Sequence, residues 1–460
     1  MRTSTKATTR REPAWPASRS TRVVTADSVN PLSEIERSVL GRAQQIELDM
    51  RTTDGAAALR TLVQAEVSQW ADDFRRGRRD FDLADPDLVA ERAHRNLVGY
   101  GPLEPLLADD DVWEIMINAP DQIFVKRHNG PSGYHDEVFH DDDHVVRTLT
   151  KILDDASAAH RKLDPTEGLQ DAQLDNGARV HVVHGDVSRG GHVMVNIRKF
   201  TGVAYRSLEQ LVATEMLTTA AAAFLRACVR SRLTIVFAGA PGSGKTTMLS
   251  CCAAELDPSL RVVVAEEVFE ADVPLPNVAQ MQTRPPRLDR PAVDLRRLVA
   301  GFLRMAPDIA IVGEVRDREA LPLLLTLSSG VKGYTTIHAG SARQALTRLR
   351  FICQLADAGN ELPMSALNTL VAESIDVVVH CARTRAGVRV AEVVAVEDLA
   401  ASPDSTQFTI TELFVRPNRD APLRWTGNVP VRAGRALRDG GYDARRLLDP
   451  LTGPRARTDA

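Results

Sequence analysis

One short stretch constrains the fold of this chain more than any other. Residues 233–247, LTIVFAGAPGSGKTT, join an apolar run to a glycine-rich segment that ends in Gly-Lys-Thr-Thr. The apolar run is typical of a buried strand, and the residues from Lys245 onward are typical of a helix. A glycine loop between a strand and a helix directs backbone N–H groups and the positive end of the helix toward one point. We therefore predict a phosphate-binding loop within an α/β fold.

This loop, called the P-loop below (residues 239–247), fits the pattern G-x-x-x-x-G-K-[ST]. We expect Lys245 to reach the β- and γ-phosphates of ATP, and the Thr246 hydroxyl to bind Mg²⁺. A glycine-rich turn without a ligand is the alternative, and the strand and helix that flank the loop argue against it. The loop residues predicted to contact the nucleotide are Gly239, Pro241, Gly242, Ser243, Gly244, Lys245, Thr246 and Thr247.

Two further apolar runs end in acidic residues. The run IAIVGE (309–314) has the form of a Walker B strand, so we expect Glu314 to hold Mg²⁺ through solvent or to orient water. The run VVVAEEVFE (262–270) carries Glu266, Glu267 and Glu270 at its end. Ligands of α/β sheets bind at the carboxyl ends of the strands, which favours metal or water chemistry over surface glutamates.

A histidine and several arginines are weaker candidates. The β-branched run TTIHA closes on His338, and a lone histidine is more often structural than functional. Four arginines lie close together in the sequence, and any one of them could clamp a phosphate. They are Arg284, Arg296, Arg304 and Arg316.

The rest of the chain predicts further domains, since 460 residues exceed one ordinary core. Helical spacing of apolar residues precedes residue 100, and alternating runs follow it, with a hairpin signal at Asn176-Gly177. A helix over 207–232 then leads into the P-loop strand, and apolar strands alternate with helices, as a mostly parallel sheet requires. The predicted divisions are a disordered tail at 1–30, a helical bundle at 31–100, an α+β domain at 101–205, an α/β ATPase domain at 206–400, and a C-terminal extension at 401–460 with one strand over 408–415 and irregular chain after it.

Composition and charge argue against several classes of protein. A net charge of −4 at pH 7 gives no global attraction to nucleic acid, so no direct nucleic-acid partner is expected. The five cysteines show no paired zinc spacing, so no zinc is expected. No stretch approaches the ~18 apolar residues that span a bilayer, and the N-terminus lacks an apolar signal-peptide core. We expect a cytoplasmic protein that reaches membranes through partners or a surface.

Taken in order, the P-loop, the acidic strand ends and the TTIHA segment resemble the secretion ATPases of type II and type IV systems. Those ATPases carry Walker A, an acid box, Walker B with the form GEVR, and a histidine box with the form TTIHA. Within them, the chain is most similar to the ATPases that assemble Flp, or tight-adherence, pili. The further segments that carry the resemblance are GPLEPLLADDDVWEIMIN (101–118), DNGARVHVV (175–183), IRKF (197–200), TRPP (283–286), LRMAPDIAIVGEVRD (303–317) and GYTTIHAGSARQALTRL (333–349).

The resemblance implies a fold and a task. The fold is a RecA-like P-loop NTPase core with an α+β N-terminal domain and a helical N-terminal extension. The task is ATP hydrolysis by a homohexamer that pushes on inner-membrane platform proteins from the cytoplasmic face. ATP is expected between the two domains of one subunit and near its neighbour.

The resemblance also implies roles for single residues. Glu314 is the Walker B acid, Glu270 falls where an acid activates water, and His338 falls on the histidine that contacts the nucleotide end or the neighbouring subunit. The acid box reads Glu266-Glu267 where Glu-Asp is usual. The cationic contributors implied are Arg179, Arg198 and Arg284.

Three alternatives stay open. A conjugative or effector-translocating motor, or a retraction motor, keeps the family and changes the task. A nucleotide-gated scaffold binds ATP without appreciable turnover, although the set of acids argues against it. A nucleic-acid translocase is disfavoured by the net charge and by the lack of a basic, aromatic-lined stripe in the sequence.

Overall fold

A computed structural model describes most of the chain, and its contacts divide the chain into two compact units, 1–199 and 200–460. The described residues are 30–49, 52–127, 130–156, 163–199, 205–284, 291–356, 362–384, 386–398, 407–418 and 421–448. The tail predicted over 1–30 therefore lies outside the described residues, except for Asn30. Within the described ranges, no helix is long and apolar enough to cross a lipid bilayer.

The first unit joins a three-helix bundle to an antiparallel sheet. Its helices are α1 (Pro31–Gln45), α2 (Thr53–Arg75), α3 (Pro86–Val98), α4 (Glu104–Ala108) and α5 (Asp142–Asp155). Its strands are β1 (Val112–Ala119), β2 (Gln122–Arg127), β3 (Gly133–Tyr134), β4 (Leu169–Gln173), β5 (Arg179–Val183) and β6 (Met194–Arg198), in the spatial order β3-β2-β1-β6-β5-β4.

The bundle and the sheet of this unit have separate apolar cores. Helices α1 to α3 bury a core of their own, which includes Trp70, and α5 packs on one face of the sheet. Polar contacts join the two parts, among them an ion pair of 3.0 Å between Arg95 and Glu137. The predicted hairpin at Asn176-Gly177 is confirmed: Gly177 has a φ of 83°, and the Asn176 side chain accepts from the N–H of Ala178 at 3.0 Å.

The second unit is built on a nine-stranded sheet. Its strands are β7 (Ile235–Gly239), β8 (Val262–Glu266), β9 (Val278–Gln282), β10 (Ile309–Val315), β11 (Lys332–Ile337), β12 (Val377–Thr384), β13 (Gly387–Val396), β14 (Ile410–Val415) and β15 (Arg424–Trp425). Its helices are α6 (Leu208–Ala213), α7 (Thr219–Arg230), α8 (Lys245–Ala253), α9 (Leu295–Ala300), α10 (Ala320–Ser328), α11 (Ala342–Ala356), α12 (Met364–Ser374), α13 (Arg432–Asp439) and α14 (Ala444–Leu448).

The order of strands explains why β7 carries an apolar run without alternation. The sheet runs β15-β14-β13-β12-β7-β11-β10-β8-β9, and every pair from β12 to β9 is parallel. Helices α6 to α8, α13 and α14 cover one face, and α9 to α12 cover the other. A parallel sheet covered on both faces is buried throughout, as all five residues of β7 are. The α/β prediction is confirmed, and the fold is that of a RecA-like P-loop NTPase core.

The helix predicted over 207–232 is wrong as a single element. It ends at Ala213, turns through Glu215 with a φ of 58°, and resumes at Thr219. The Thr218 side chain caps the second helix by accepting from the N–H of Ala221 at 3.3 Å. The apolar periodicity continues across this turn because Met216 and Leu217 are buried in the turn itself.

The irregular chain predicted after 415 is also wrong for the residues that the structure describes. Strand β14 pairs with β13, and both α13 and α14 pack into the core that surrounds β7. The Glu397 carboxylate accepts from the N–H groups of Val431 and Arg432 at 3.0 and 2.9 Å, at the start of α13. An anion there is favoured by the helix dipole, so an acid upstream of β14 anchors the C-terminal helices.

Candidate nucleotide-binding site

The P-loop follows β7 at the carboxyl edge of the parallel strands. Gly239, Gly242 and Gly244 have φ values of 154°, 67° and 84°, in the region that favours glycine. A Cβ on Gly239 would lie 2.3 Å from both the Cys381 carbonyl oxygen and Ser243 Oγ, so no side chain fits there. The loop is therefore curled tightly, and its last three residues, from Lys245, form the start of α8.

The Lys245 side chain folds back over the P-loop. Only 7% of its surface is exposed, and its Nζ donates to the Ala240 carbonyl at 3.1 Å. The same Nζ lies 3.2 Å from Nδ1 of His338. Thr246 and Thr247 are half-buried in the first turn of α8. The lysine is thus held at the mouth of the loop, beside the backbone that would hold a phosphate.

His338 connects the P-loop to the Walker B strand. Its Nε2 lies 2.6 Å from Glu314 Oε1, and its Nδ1 lies 3.2 Å from the Gly239 carbonyl as well as near Lys245. Burial lowers the pKa of His338, and the Glu314 charge opposes that shift only in part. A neutral ring that carries its proton on Nε2 donates to Glu314 and accepts from Lys245 at Nδ1, so these two charged partners favour this tautomer. A histidine that looked isolated in the sequence bridges two predicted nucleotide-binding residues.

Glu314 is ionised and joined to the acid box through an arginine. Burial raises its pKa, but a 2.7 Å hydrogen bond from Arg316 and the charges of Arg316, His338 and Lys245 outweigh burial, so the net shift is downward. Arg316 also donates to Glu267 at 2.6 Å. One guanidinium therefore ties the ends of β10 and β8 together.

Glu266 shapes the loop that carries Glu270. Glu266 is 2% exposed, and its Oε1 accepts from the N–H groups of Glu270 and Ala271 at 3.1 and 2.9 Å. A Cβ on Gly313 would lie 2.8 Å from Glu266 Cγ, so the glycine of GEVR leaves room for this side chain. Glu270 is half-buried, and its charge helps to raise the pKa of Arg316, which places it in the same electrostatic cluster.

Of the three arginines implied by the resemblance, only Arg284 belongs to the unit that carries this cluster. Arg284 pairs with Val293 through its backbone and donates to the Pro291 carbonyl at 3.2 Å. In the described parts of the chain, no hydrogen bond or ion pair joins it to the P-loop or to the acids. Arg179 and Arg198 belong to the first unit, where they are register partners on β5 and β6.

The residues at this edge fit Mg²⁺ bound together with a nucleotide. Mg²⁺ takes oxygen ligands, keeps several waters and is usually bound through one or two protein oxygens plus phosphates. Thr246 supplies a hydroxyl, and Glu314 supplies an ionised carboxylate. No group of three or more His, Cys, Asp and Glu side chains within the described ranges is arranged to hold a metal ion alone.

The sequence reading missed a second set of contacts to the P-loop. Arg383, at the end of β12, donates from Nε to the Gly242 carbonyl at 3.2 Å. Val388 of β13 packs against Gly244. Neither residue belongs to a motif. Arg383 lies in β12, the strand that pairs with β7, and Val388 lies in β13, which pairs with β12. The pairing of β12 with β7 is evident only from the sheet order.

Comparison with known proteins gives consistent matches over this region. A family model described as type II/IV secretion system protein matches residues 96–422. A Mycobacterium tuberculosis protein named for conjugal transfer is 32% identical over 317 residues, covering 67% of this chain and 87% of the relative. The type IV secretion system protein PtlH of Bordetella pertussis is 32% identical over 308 residues, covering 62% and 89%. The crystal structure of the VirB11 ATPase of Brucella suis is 26% identical, covering 64% and 94%, with a TM-score of 0.34.

Proposed function

The chain belongs to the type II/IV secretion system protein family and is an ATPase, and from this premise we propose that it works as a homohexameric motor at the cytoplasmic face of the inner membrane. In this role it powers pilus assembly or protein secretion by pushing on platform proteins in the membrane. The observation that carries the proposal is the chain of contacts from Lys245 through His338 to Glu314 at the carboxyl edge of the sheet.

The arrangement supports phosphoryl transfer from ATP to water. The P-loop N–H groups and Lys245 bind the phosphates. Thr246, together with Glu314 acting through solvent, would hold Mg²⁺, which would supply neutralising positive charge. Glu270 takes the proton of the attacking water, and Glu266 positions the loop that carries it. Without nucleotide, the neutral ring of His338 bridges Lys245 and Glu314.

Phosphate binding also changes the partners of Lys245. The ammonium group is bonded to the Ala240 carbonyl and to His338. The phosphates of ATP carry more charge than either partner and attract the ammonium away from both. His338 and Glu314 then lose a neighbouring cation, so nucleotide binding is signalled from the P-loop to the Walker B strand.

The charge that develops on the γ-phosphate calls for one more cation. Arg316 lies near the acids but is bonded to Glu314 and Glu267. We assign the additional cation to Arg179, Arg198 or Arg284, brought to the site by domain closure or by a neighbouring subunit. Hydrolysis then depends on assembly, which couples it to movement.

Subunit mixing tests the hexameric motor. Specific ATPase activity rises with protein concentration until the oligomer saturates, and doping with Lys245→Ala subunits depresses turnover more than in proportion to their fraction. A matched doping with Arg348→Ala subunits, changed at an exposed position of α11, leaves turnover unaffected. A linear mixing curve, with constant specific activity down to concentrations where light scattering shows monomer, would remove the hexamer from the account.

A second candidate task follows from the names of the relatives. One relative is named for conjugal transfer and another as a type IV secretion system protein, so a conjugative or effector-translocating motor is the second candidate beside the Flp-type pilus assembly that the motifs resemble. Deleting the gene in its host separates the two. Loss of surface pili supports pilus assembly, whereas intact pili with loss of conjugation or of a secreted protein supports translocation.

A further inference from the structure

A hairpin outside the nucleotide-binding motifs contacts the three P-loop glycines that have positive φ. Strands β12 and β13 form this hairpin, and β12 is the parallel neighbour of β7. The Cys381 carbonyl approaches Gly239, Val388 approaches Gly244, and Arg383 donates to the Gly242 carbonyl at 3.2 Å. The hairpin therefore touches the loop at each point where its backbone adopts an unusual conformation.

The contact made by Arg383 differs from the other two because it is a directed hydrogen bond. A loop that binds an anion through its backbone turns N–H groups inward and carbonyl oxygens outward. A donor outside the loop that holds the Gly242 carbonyl stabilises this outward orientation. In the parallel register, Cys381 lies opposite Gly239, the last residue of β7. Arg383 comes two residues later and therefore lies beside the P-loop, beyond the end of β7.

We propose that Arg383 is a positioning residue that holds the P-loop in its anion-binding conformation through the Gly242 carbonyl. The proposal rests on the proposed role of the P-loop as the phosphate site. Glycine leaves a φ of 67° or 84° readily, so a loop without this hydrogen bond spends part of its time in other conformations. The apparent affinity for ATP then equals the affinity of the anion-binding conformation multiplied by the fraction of molecules in that conformation.

This role predicts a change in KM without a change in kcat. Once ATP has selected the competent loop, the contacts to the transition state are those of the wild-type protein, so kcat stays within about twofold. Because the Arg383 side chain is exposed and water competes for its hydrogen bond, removing this bond raises KM by about three- to tenfold.

Two substitutions separate the hydrogen bond from the charge. Glutamine carries its amide nitrogen at the same number of bonds from Cα as Arg Nε, so Arg383→Gln retains a donor there and loses the charge, whereas Arg383→Ala loses both. We expect the full-length Arg383→Ala protein to show the raised KM, and Arg383→Gln to return it to within about twofold of wild type. Arg348→Ala, at an exposed arginine of α11, is the matched control and changes neither constant.

Three results would overturn the proposal. A KM for Arg383→Ala equal to that of the control shows that the hydrogen bond does not matter. A KM for Arg383→Gln as high as that for Arg383→Ala assigns the effect to the guanidinium charge on the nucleotide itself. A loss of kcat at unchanged KM assigns Arg383 to the transition state. Failure of the P-loop assignment would appear separately, as turnover retained by Lys245→Ala.

Discussion

At the scale of single residues, His338 connects Lys245 of the P-loop to Glu314 of the Walker B strand. A neutral ring between a lysine and a glutamate lets the two opposite charges stay near each other without direct contact. Burial and the Lys245 charge lower the pKa of His338, so the ring stays neutral at neutral pH. The sequence predicts that His338 lies at the end of a strand, because it closes the TTIHA run. It does not predict the two partners of the ring, which depend on the packing of β7, β10 and β11.

A second histidine, His144 of α5, makes the stability of the first unit depend on pH. It is 1% exposed, its ring stacks on His140, and burial lowers its pKa from 6.5 to about 4. Between pH 6.5 and about pH 4, His144 is protonated in the unfolded chain and neutral in the folded chain. The free energy of unfolding therefore falls as pH falls through this range. The full effect is about 3 kcal/mol, present above pH 6.5 and lost toward pH 4.

Replacing His144 by phenylalanine removes the titration and keeps an aromatic ring. We expect urea unfolding of His144→Phe to depend less on pH between 6.5 and 4 than unfolding of the wild type. The variant is less stable at pH 8, where it lacks the hydrogen bond from the His140 N–H. Parallel curves for wild type and His144→Phe would contradict the assignment.

At the scale of elements, the two acidic strand ends are held differently and are expected to act differently. Glu314 sits on β10 among cations, whereas Glu270 sits on a loop shaped by Glu266 after β8. Glu270→Gln keeps the shape and loses the base, so ATP binds tightly while turnover falls by about 10²–10⁴-fold. Glu314→Gln slows turnover and also weakens Mg²⁺-dependent binding.

Nucleotide titrations with and without Mg²⁺, together with phosphate release, separate these two phenotypes. Glu267→Gln serves as the control, because this acid is exposed and pairs with Arg316 at the rim. Its effect on turnover is expected to be smaller than that of either catalytic candidate. Normal turnover by Glu270→Gln would remove Glu270 from the mechanism.

The elements that sequence predicts well are those whose signal is local. The strand before the P-loop, the Walker B strand and the Asn176-Gly177 hairpin each carry their pattern within a few residues. The contacts of Arg383 and Val388 with the P-loop were not predictable, because they require β12 to pair with β7 from more than a hundred residues away. The backbone contacts of Glu266 were not predicted either, because the sequence does not distinguish a buried acid from one at the surface.

At the scale of the whole molecule, the C-terminal segment belongs to the structure that supports the P-loop. A chain that stops at residue 398 lacks β14, β15, α13 and α14. These elements bury apolar side chains in the core around β7, namely Leu413, Phe414, Leu437 and Leu448. Their burial contributes about 6–12 kcal/mol, comparable with the whole stability of a domain.

We therefore expect the chain truncated at residue 398 to lose cooperative thermal unfolding and ATPase activity. The matched truncation at the other end, a chain that starts at Asn30, keeps both, because the predicted tail cannot bury a core. Cooperative unfolding of the 398 truncation at the wild-type temperature would show that the C-terminal elements are accessory. A large loss of turnover in the chain starting at Asn30 would show that the N-terminal tail orders against the motor.

The central claim is that ATP is hydrolysed at the P-loop site, and phosphate release by Lys245→Ala tests it most directly. The substitution removes the side-chain cation of the loop and leaves its backbone N–H groups in place. We predict turnover below about a hundredth of wild type, because the charge of the transferring phosphate loses its direct partner. The unfolding temperature without nucleotide changes by no more than about 3 °C. Turnover at a tenth of wild type or more, in a folded protein, would contradict the account.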